Sequence, residues 1–467
     1  MSKKIIPRDL ITKLSFILVV RTSLTLISGV VGPLWVIHYL ALSGLGRYAS
    51  LNAGSWFIQV LGELGFTGLF LRLGAHRRRY QKKIVFYDAL WARISSFPLI
   101  IIVALMVSMI FAFNNKNHDL KSAFLLITLS SPIFLLQNFV LQSNIGMGNT
   151  KIQIGGEIIY KVAYLSILFI GLPHHKSQFF LVTTTVSSAL VQLFYFFYYI
   201  HRSFKGESLY RFSRARIFHN YREALPYSTL TISYILYGKI DLLLLNLLVS
   251  PIYVGIYSLA YRAAEIMMDA ANVATSFFFK NIAQSAKNKY KEIRSFVFTS
   301  SIILAAIAAF SSPFAAGFIK GGGVRLSHTI TILTLTGVFM AVNTLQIGML
   351  QVQKKPKTIA FTFIVGGFLE TISIILGGRF NPPVGAAMMV LFLEISLFFV
   401  FLKYTAYHIS LNFFKPIIEI YLPALIIGLL PIYAELKLIL GLFYILIYLF
   451  ITKNFRELIT TITKDED

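Results

Sequence analysis

Fourteen stretches of mainly apolar residues run through this chain of 467 residues. Each is close to the roughly 20 residues that a helix needs to cross a bilayer core of about 30 Å. Backbone polar groups inside a membrane must bond within their own segment, so the stretches predict helices. The sequence therefore predicts an all-α polytopic membrane protein with about 14 transmembrane helices. The spans are approximately 14 to 40, 48 to 71, 85 to 113, 121 to 145, 152 to 172, 178 to 200, 224 to 248, 252 to 279, 295 to 319, 327 to 351, 358 to 377, 381 to 402, 412 to 433 and 436 to 452.

The connections between these spans alternate between strongly and weakly basic. Of the 43 Lys and Arg residues, 30 fall in alternate connections counted from the N-terminus, 8 in the intervening ones and 5 inside spans. Because basic loops stay on the cytoplasmic side of a membrane, both termini are predicted to be cytoplasmic. An odd number of spans breaks this alternation partway along the chain, which favours fourteen spans over thirteen.

Composition and motifs exclude several classes of protein. The net charge of +24 is scattered over eight cytoplasmic segments, so attraction to anionic lipid explains it better than nucleic-acid binding. The chain has no cysteine and no P-loop pattern, which excludes disulfides, thiol sites and transport driven through such a nucleotide site. His174 and His175 have no further ligands nearby in sequence, so we predict no metal and no cofactor.

The longest cytoplasmic connection divides the chain into two halves of six spans each. We predict an N-terminal lobe over residues 1 to 200, a basic cytoplasmic linker over 201 to 223 and a C-terminal lobe over 224 to 404. Two further helices and a cytoplasmic tail occupy residues 405 to 467.

Three weak matches in the same order relate the halves. They are Gly46-Arg-Tyr48 with Gly255-Ile-Tyr257, the pair Gly155 and Gly156 with Gly366 and Gly367, and LQSNIGMGNTK from Leu141 with LQIGMLQVQKKPK from Leu345. Six spans separate the members of each pair, so both copies enter the membrane in the same orientation. Such a parallel duplication predicts two pseudo-symmetric lobes around a central cavity, with the substrate path near the midplane.

Polar stripes mark equivalent helices of the two halves. The residues of span 8 that share one helix face are Ser258, Arg262, Glu265, Asp269, Asn272 and Ser276. The milder stripe of span 2 consists of Asn52, Ser55, Gln59, Glu63 and Thr67. A charge facing lipid costs about 2.5 kcal/mol or more at the bilayer centre, so we predict that both stripes line the cavity. The alternative is that Arg262 and Glu265 merely neutralise each other inside a packed bundle.

Spans 1, 7 and 5 contain further polar residues. Arg21, on one face with Thr25 and Ser28, is predicted to line the cavity, although it is near enough to the cytoplasmic end to extend toward the headgroups. Asp241 is a second residue that is predicted to line the cavity. The alternative is that Asp241 is solvated by water near the external end of span 7. Glu157 and Lys161 have the spacing of a structural ion pair.

Buried carboxylates are candidates for coupling to an ion. Glu370 lies deep in span 11 without an evident helical partner, so it is either protonated or a coupling site, and Asp269 is a second candidate. The sequence leaves Arg93, Glu394 and Glu419 unassigned. The predicted substrate-binding residues are Arg21, Asn52, Gln59, Glu63, Asp241, Arg262, Glu265 and Asp269.

Two segments at the starts of the halves resemble a known family. The first segment has Gly46-x-Tyr48 followed by Glu63-Leu-Gly65-Phe-Thr-Gly68, and the second has Pro226 followed by Asp241 and then Val254-Gly255-Ile-Tyr257-Ser-Leu-Ala260-Tyr-Arg262. Both are similar to the half-signatures of the polysaccharide-transport branch of the multidrug, oligosaccharidyl-lipid and polysaccharide exporter superfamily. Its members include the Wzx-type O-antigen repeat-unit flippases.

The resemblance implies two six-helix lobes and a central cationic cavity. It also implies transfer of an undecaprenyl-pyrophosphate-linked oligosaccharide from the inner to the outer leaflet of the bacterial inner membrane, by a transporter that is not an enzyme. The expected partners are this lipid-linked substrate, membrane lipids, a polysaccharide polymerase and a chain-length regulator, with no nucleic acid.

Three alternatives stay open. Spans 13 and 14 depart from the twelve-helix members and are similar to the lipid II flippases of the same superfamily. A drug/cation antiporter of that superfamily favours carboxylates in the cavity, against which Arg262 argues. A membrane-embedded glycan polymerase or ligase usually needs a large external loop, whereas the longest external connection here has only about eight residues.

Overall fold

The computed structural model describes residues 23–25, 27–63, 65, 79–114, 117–147, 150–203, 213–284, 287–352, 355–405, 411–429 and 433–451. Helices joined by short turns account for these residues, with no strand among them. The helices are a π-helical turn (Ile27–Val31), α1 (Gly32–Glu63), α2 (Arg79–Asn114), α3 (His118–Leu129), α4 (Ser131–Met147), α5 (Thr150–Gly171), α6 (Gln178–Ser203), α7 (Arg214–Leu248), α8 (Pro251–Gln284), α9 (Lys287–Gly317), α10 (Gly323–Val352), α11 (Pro356–Phe380), α12 (Val384–Thr405), a 3-10 turn (Leu411–Phe414), a second π-helical turn (Ile417–Tyr421), α13 (Leu422–Leu429) and α14 (Ala434–Ile451).

Within the described residues the predicted spans coincide with helix, but spans 1, 2 and 4 differ in form from the prediction, and span 13 combines 3-10 and π-helical turns with α13. Spans 1 and 2 meet within α1, where Ala41 interrupts the helix with φ 57° and ψ 178°. Span 4 is broken into α3 and α4, which are bent by 42°. Pro132 lies in the first turn of α4 and has no N–H to continue the ladder of α3, which accounts for the break there.

A strict test of helix length and mean hydropathy accepts fewer spans than the fourteen apolar stretches of the sequence. Among the described residues, eight helices are long and apolar enough to cross a membrane, or nine if the bent pair α3 and α4 counts as one span. The helices α7 and α8 fall outside this group although they have 35 and 34 residues. Both carry charged residues inside the predicted spans, which lowers their mean hydropathy. The architecture is that of an all-α polytopic membrane protein.

The chain separates into two compact units. The first contains Met1–Leu40 and Arg47–Leu243, and the second contains Ala41–Gly46 and Leu244–Asp467. The first unit therefore includes most of α7, which the sequence repeat assigns to the C-terminal lobe. The lobe boundaries drawn from the repeat remain a prediction.

Aromatic rings from three helices form a core in the first unit. Phe86 of α2 and Phe139 of α4 stack with their ring centroids 5.6 Å apart, and Phe196 of α6 is buried in the same cluster. A methyl group at Gly156 would overlap the Phe196 ring, which explains the glycine there. Two positions earlier on α6, Phe194 is exposed, so only Phe196 of the two packs inward.

The end of the basic linker is helical and packs on α2. The helix α7 begins at Arg214, ten residues before the predicted span. Arg216 Nε lies 2.8 Å from Asp88 Oδ2, and the Tyr221 hydroxyl donates to the Ala92 carbonyl at 2.6 Å. These contacts fix the first turns of α7 on the first unit.

The last two spans are integral to the second unit. Phe298 of α9 stacks on Phe413 with their ring centroids 4.2 Å apart, and the Tyr421 hydroxyl donates to the Thr331 carbonyl at 2.8 Å. A methyl group at Gly441 of α14 would overlap the Phe310 ring of α9. The C-terminal helices are thus held by close packing against α9 and α10.

The repeat motif marks a helix crossing between α1 and α8. A methyl group at Gly46 would overlap the Pro251 carbonyl oxygen, and one at Gly255 would overlap the Leu42 carbonyl oxygen. Both contacts belong to the second unit, which contains Ala41–Gly46. The backbones approach closely here because neither glycine carries a side chain.

Candidate substrate site

The stripe of α8 begins with an ion pair. Arg262 Nη1 lies 2.7 Å from Glu265 Oε2, one helical turn away. The Arg262 side chain is nevertheless 50% exposed, whereas that of Glu265 is 20% exposed. The neutralisation considered as the alternative is therefore real, and it leaves half of the arginine surface accessible.

The neighbouring stripe residues differ in their roles. Ser258 is buried and donates to the Gly255 carbonyl at 3.1 Å, so it contributes to the glycine crossing. The side chains of Asp269, Asn272 and Ser276 lie outside the described residues. The structure thus describes the first half of the stripe, and that half contains the arginine.

The stripe of span 2 lies on α1 and bonds mainly to its own helix. Asn52 donates to the Tyr48 carbonyl at 3.0 Å, and Gln59 donates to the Ser55 hydroxyl at 2.9 Å. Asn52 and Gln59 are half-buried whereas Ser55 is buried, so the stripe is not uniformly exposed. The side chain of Glu63, like the whole of Arg21, lies outside the described residues.

Lys161 of α5 has a contact with span 1 that the sequence did not predict. It donates a hydrogen bond to the Thr25 hydroxyl on the polar face of span 1. Glu157, its expected partner, accepts from Gln153 at 3.1 Å. A cation inside a span was the available signal, and the ion pair of Lys161 with Glu157 stays a prediction. The first unit therefore presents an ammonium group beside the face on which Arg21 was predicted.

The buried acidic residues occupy different surroundings. Asp241 is only 1% exposed and accepts from the Leu242 N–H at 2.7 Å, so the solvated alternative is wrong. Glu370 is also buried. Glu394, which the sequence left unassigned, accepts from Asn343 Nδ2 at 2.7 Å, and Glu419 pairs with Lys415 at 3.2 Å.

Arg93, also unassigned from the sequence, has a structural environment. Its side chain is fully buried, and its guanidinium carbon lies 5.5 Å from the centroid of the Phe139 ring. An arginine over an aromatic face gains cation–π attraction, so Arg93 belongs to the core of the first unit. Within the described ranges, no group of three His, Cys, Asp or Glu residues could hold a metal ion.

The candidate residues divide between the two units. Asn52, Gln59 and Asp241 belong to the first unit, whereas Arg262, Glu265 and Glu370 belong to the second. Among the candidate residues of the second unit, Arg262 is the exposed cation. In the first unit, Lys161 contacts the polar face of span 1. Cationic side chains inside predicted spans suit anionic ligands, because a guanidinium or ammonium forms charge-assisted hydrogen bonds with phosphate oxygens.

A sequence-family comparison bears directly on this arrangement. The family described as polysaccharide biosynthesis protein matches residues 11–279, more than half of the chain. The chain belongs to this family. The match includes α8 up to Phe279 and therefore the Arg262 and Glu265 pair. It confirms the resemblance to the polysaccharide-transport branch of the exporter superfamily. No curated protein sequence matches the chain.

Solved structures share the fold at low sequence identity. A structure of the lipid II flippase MurJ in an inward closed conformation has a TM-score of 0.69 and 14% identity, covering 96% of this chain and 98% of that one. A multidrug transporter of the MATE family in the straight conformation has a TM-score of 0.61 and 14% identity, covering 87% and 96%. An inward-facing MATE family transporter of the MOP superfamily has a TM-score of 0.58 and 13% identity, covering 83% and 98%. The fold is thus a transporter fold.

Proposed function

We propose that the protein is a flippase that moves an undecaprenyl-pyrophosphate-linked oligosaccharide repeat unit, of O-antigen or a related surface polysaccharide, from the inner to the outer leaflet of the bacterial inner membrane. Alternating access of the two lobes carries the cargo across. The observation that carries this proposal is the half-exposed guanidinium of Arg262, in a predicted membrane span of a polysaccharide biosynthesis family member. A polymerase and a chain-length regulator are the proposed partners that use the exported unit.

A pyrophosphate linkage suits this cation. The planar guanidinium offers paired N–H donors that match two phosphate oxygens, and it keeps its charge in a poorly hydrated site. Glu265 holds the guanidinium through Nη1 and reduces the cost of a lone charge in the membrane. Lys161, and Arg21 as predicted from the sequence, supply positive charge from the first unit.

The membrane potential is the proposed driving force. The movement of an anion outward across a membrane that is negative inside is favourable. It lowers the electrostatic free energy by about 2.3 kcal/mol per charge per 100 mV. A cavity with net positive charge is drawn back to the inward-facing state by the same field. The competing account is ion antiport through the carboxylates of Asp269 and Glu370, of which Glu370 is buried.

The test is a flipping assay on the full chain in liposomes. A fluorescent lipid-pyrophosphate oligosaccharide is supplied, and the fraction that an impermeant quencher reaches is followed over time. Arg262→Ala should lower the rate about tenfold or more, since a charge-assisted hydrogen bond contributes about 1.5 to 3 kcal/mol. Arg262→Lys should retain part of the rate, because the charge stays while the planar fork is lost.

Arg379→Ala is the matched control. Arg379 is an exposed arginine in the last turn of α11, so its loss should leave the rate unchanged. A potassium-diffusion potential at constant pH should accelerate the wild type. Wild-type rates from the Arg262→Ala protein would falsify the cargo role of Arg262, and acceleration by a pH or sodium gradient alone would favour ion antiport.

A lipid II flippase is the second candidate. The observation that favours it is the likeness to the MurJ structure over 96% of this chain, which includes part of the C-terminal helices. The same assay separates the two candidates when the cargo carries a peptide-bearing disaccharide instead of a repeat-unit glycan. Faster flipping of the peptide-bearing cargo, or a chromosomal position beside cell-division genes, indicates lipid II.

A further inference from the structure

A cavity of about 660 Å³ opens in the second unit where α9 and α10 are joined. Its walls come from the end of α9, the start of α10, the start of α12, and the C-terminal helices at Leu425 and Lys437. The volume lies within the range of about 300 to 1,000 Å³ that is common for ligand sites. Among the described lining residues, none belongs to the candidate substrate site.

The cavity has the depth of one lipid leaflet. Along α9 it runs from Gly317 back to Ala309, and along α10 from Gly323 to Ile332. At 1.5 Å per residue these distances are about 12 to 14 Å, close to half of a bilayer core of about 30 Å. The charge alternation predicts that these helix ends are external. The cavity therefore occupies the depth of the outer leaflet.

The wall suits a hydrocarbon chain. Ala309, Pro313, Met388 and Leu425 contribute apolar surface. The hydroxyls of the wall already bond to one another and to their helices, and His328 is the exposed polar side chain beside them. The Ser312 hydroxyl lies 2.8 Å from that of Ser327 and 3.1 Å from that of Thr331, Ser312 donates to the Ala309 carbonyl, and Thr331 donates to the Ser327 carbonyl. An apolar occupant thus leaves these hydroxyls satisfied.

The charge near the helix ends that flank the cavity suits an anion. Lys437 lines the cavity, the turn after α9 carries the exposed Lys320, and α10 begins with Arg325 stacked on Tyr253. The sequence contains no acidic residue between Glu292 and Glu370, so α10 and all but the first turns of α9 contribute no negative charge. Glu435 is exposed in the first turn of α14 and is the nearest acidic residue in sequence to Lys437.

We propose that this cavity binds one acyl chain of an anionic glycerophospholipid of the outer leaflet, with the phosphate beside Lys437. The acyl chain of a glycerophospholipid spans one leaflet. Since the cavity has the depth of one leaflet, such a chain fits it in length. A polyprenyl chain is several times longer than this depth. The bound lipid fills the space between α9, α10, α12 and the two C-terminal helices.

The test is native mass spectrometry of the full chain with equal amounts of phosphatidylglycerol and phosphatidylethanolamine that carry identical acyl chains. Wild type should retain about fivefold more phosphatidylglycerol, the preference expected from a single lysine near an anionic lipid. Gly317→Leu should lose both lipids, because Gly317 lines the cavity and an added Cβ meets no atom within 4 Å, which leaves the larger side chain room in the space that the lipid needs. Lys437→Gln should keep lipid and lose the preference.

Matched controls accompany each variant. Gly29→Leu places the same side chain at another glycine with open surroundings, and Lys121→Gln removes a charge elsewhere on the predicted external side. Both should bind lipid as the wild type does. Undiminished binding by Gly317→Leu, or no headgroup preference in the wild type, overturns the proposal. Displacement by an equal amount of polyprenyl phosphate assigns the cavity to the cargo and overturns the phospholipid assignment.

Discussion

At the scale of single residues, the structure separates polar side chains that stabilise the bundle from those that remain accessible. Glu394 and Asn343 are buried together, and Asn343 also donates to the Glu394 backbone carbonyl at 3.1 Å. Arg262 has an ion-pair partner and still keeps half of its surface exposed. The two groups of polar side chains differ in burial and in hydrogen bonding, and not in residue type.

The Asn343 and Glu394 contact yields a stability prediction. Asn343→Leu should lower the free energy of unfolding by about 1 to 3 kcal/mol, because the buried Glu394 carboxylate loses its amide donor. Replacing both residues by Leu should recover part of that loss, since the buried carboxylate is then removed together with its amide donor. Thermal unfolding of the purified full chain in detergent measures both effects, and equal midpoints for the wild type and Asn343→Leu contradict the assignment.

Sequence could predict only the local part of this picture. Arg262 and Glu265 are three positions apart on one helix, so their pairing follows from helical geometry. Glu394 finds its partner 51 positions away, and Lys161 reaches a hydroxyl 136 positions away. Such contacts depend on how helices pack, which hydrophobic periodicity does not encode.

At the scale of elements, each helix that the structure describes overlaps a predicted apolar run. The observed helix ends differ from the predicted ones where polar residues extend a helix. The linker side of α7 is helical from Arg214, although its residues up to Glu223 lack an apolar run. Its contacts with Asp88 and Ala92 supply the stabilisation instead. The break at Ala41 falls where the hydropathy pattern ends span 1, although the positive φ of this non-glycine residue leaves no sign in such a pattern.

The crossing of α1 and α8 yields a packing prediction. Gly46→Ala and Gly255→Ala should each destabilise the protein by about 1 to 3 kcal/mol, because each added methyl group meets backbone that cannot rotate away. Gly29→Ala is the control, since a methyl group there meets nothing within 4 Å. Thermal midpoints of the three variants compare the sites, and a midpoint for Gly46→Ala equal to that of Gly29→Ala argues against close backbone approach.

At the scale of the whole molecule, charge distribution gives the topology that helices alone do not. A phosphatase that is active only in the periplasm should be silent when fused after the C-terminus or inserted at Lys205 in the linker. The same enzyme inserted in the turn at Lys320 should be active, because that turn is predicted to be external. The measurement is enzyme activity in whole cells at matched expression. Activity at either cytoplasmic position contradicts the fourteen-span topology.

The glycine crossing bears on how the chain arose. Leu42 and Gly46 lie 209 positions before Pro251 and Gly255, and each glycine approaches the carbonyl at the other's matching position. An exchange of equivalent contacts is the mark of a surface that pairs with a copy of itself. The ancestor of this chain is therefore expected to have been a six-helix protein that worked as a homodimer, before gene fusion joined the copies. The polar stripes match at an offset of 210, one residue out of step with the glycines, and at that offset one copy has Asn52 where the other has Arg262. Fusion allowed the two stripes to diverge in this way.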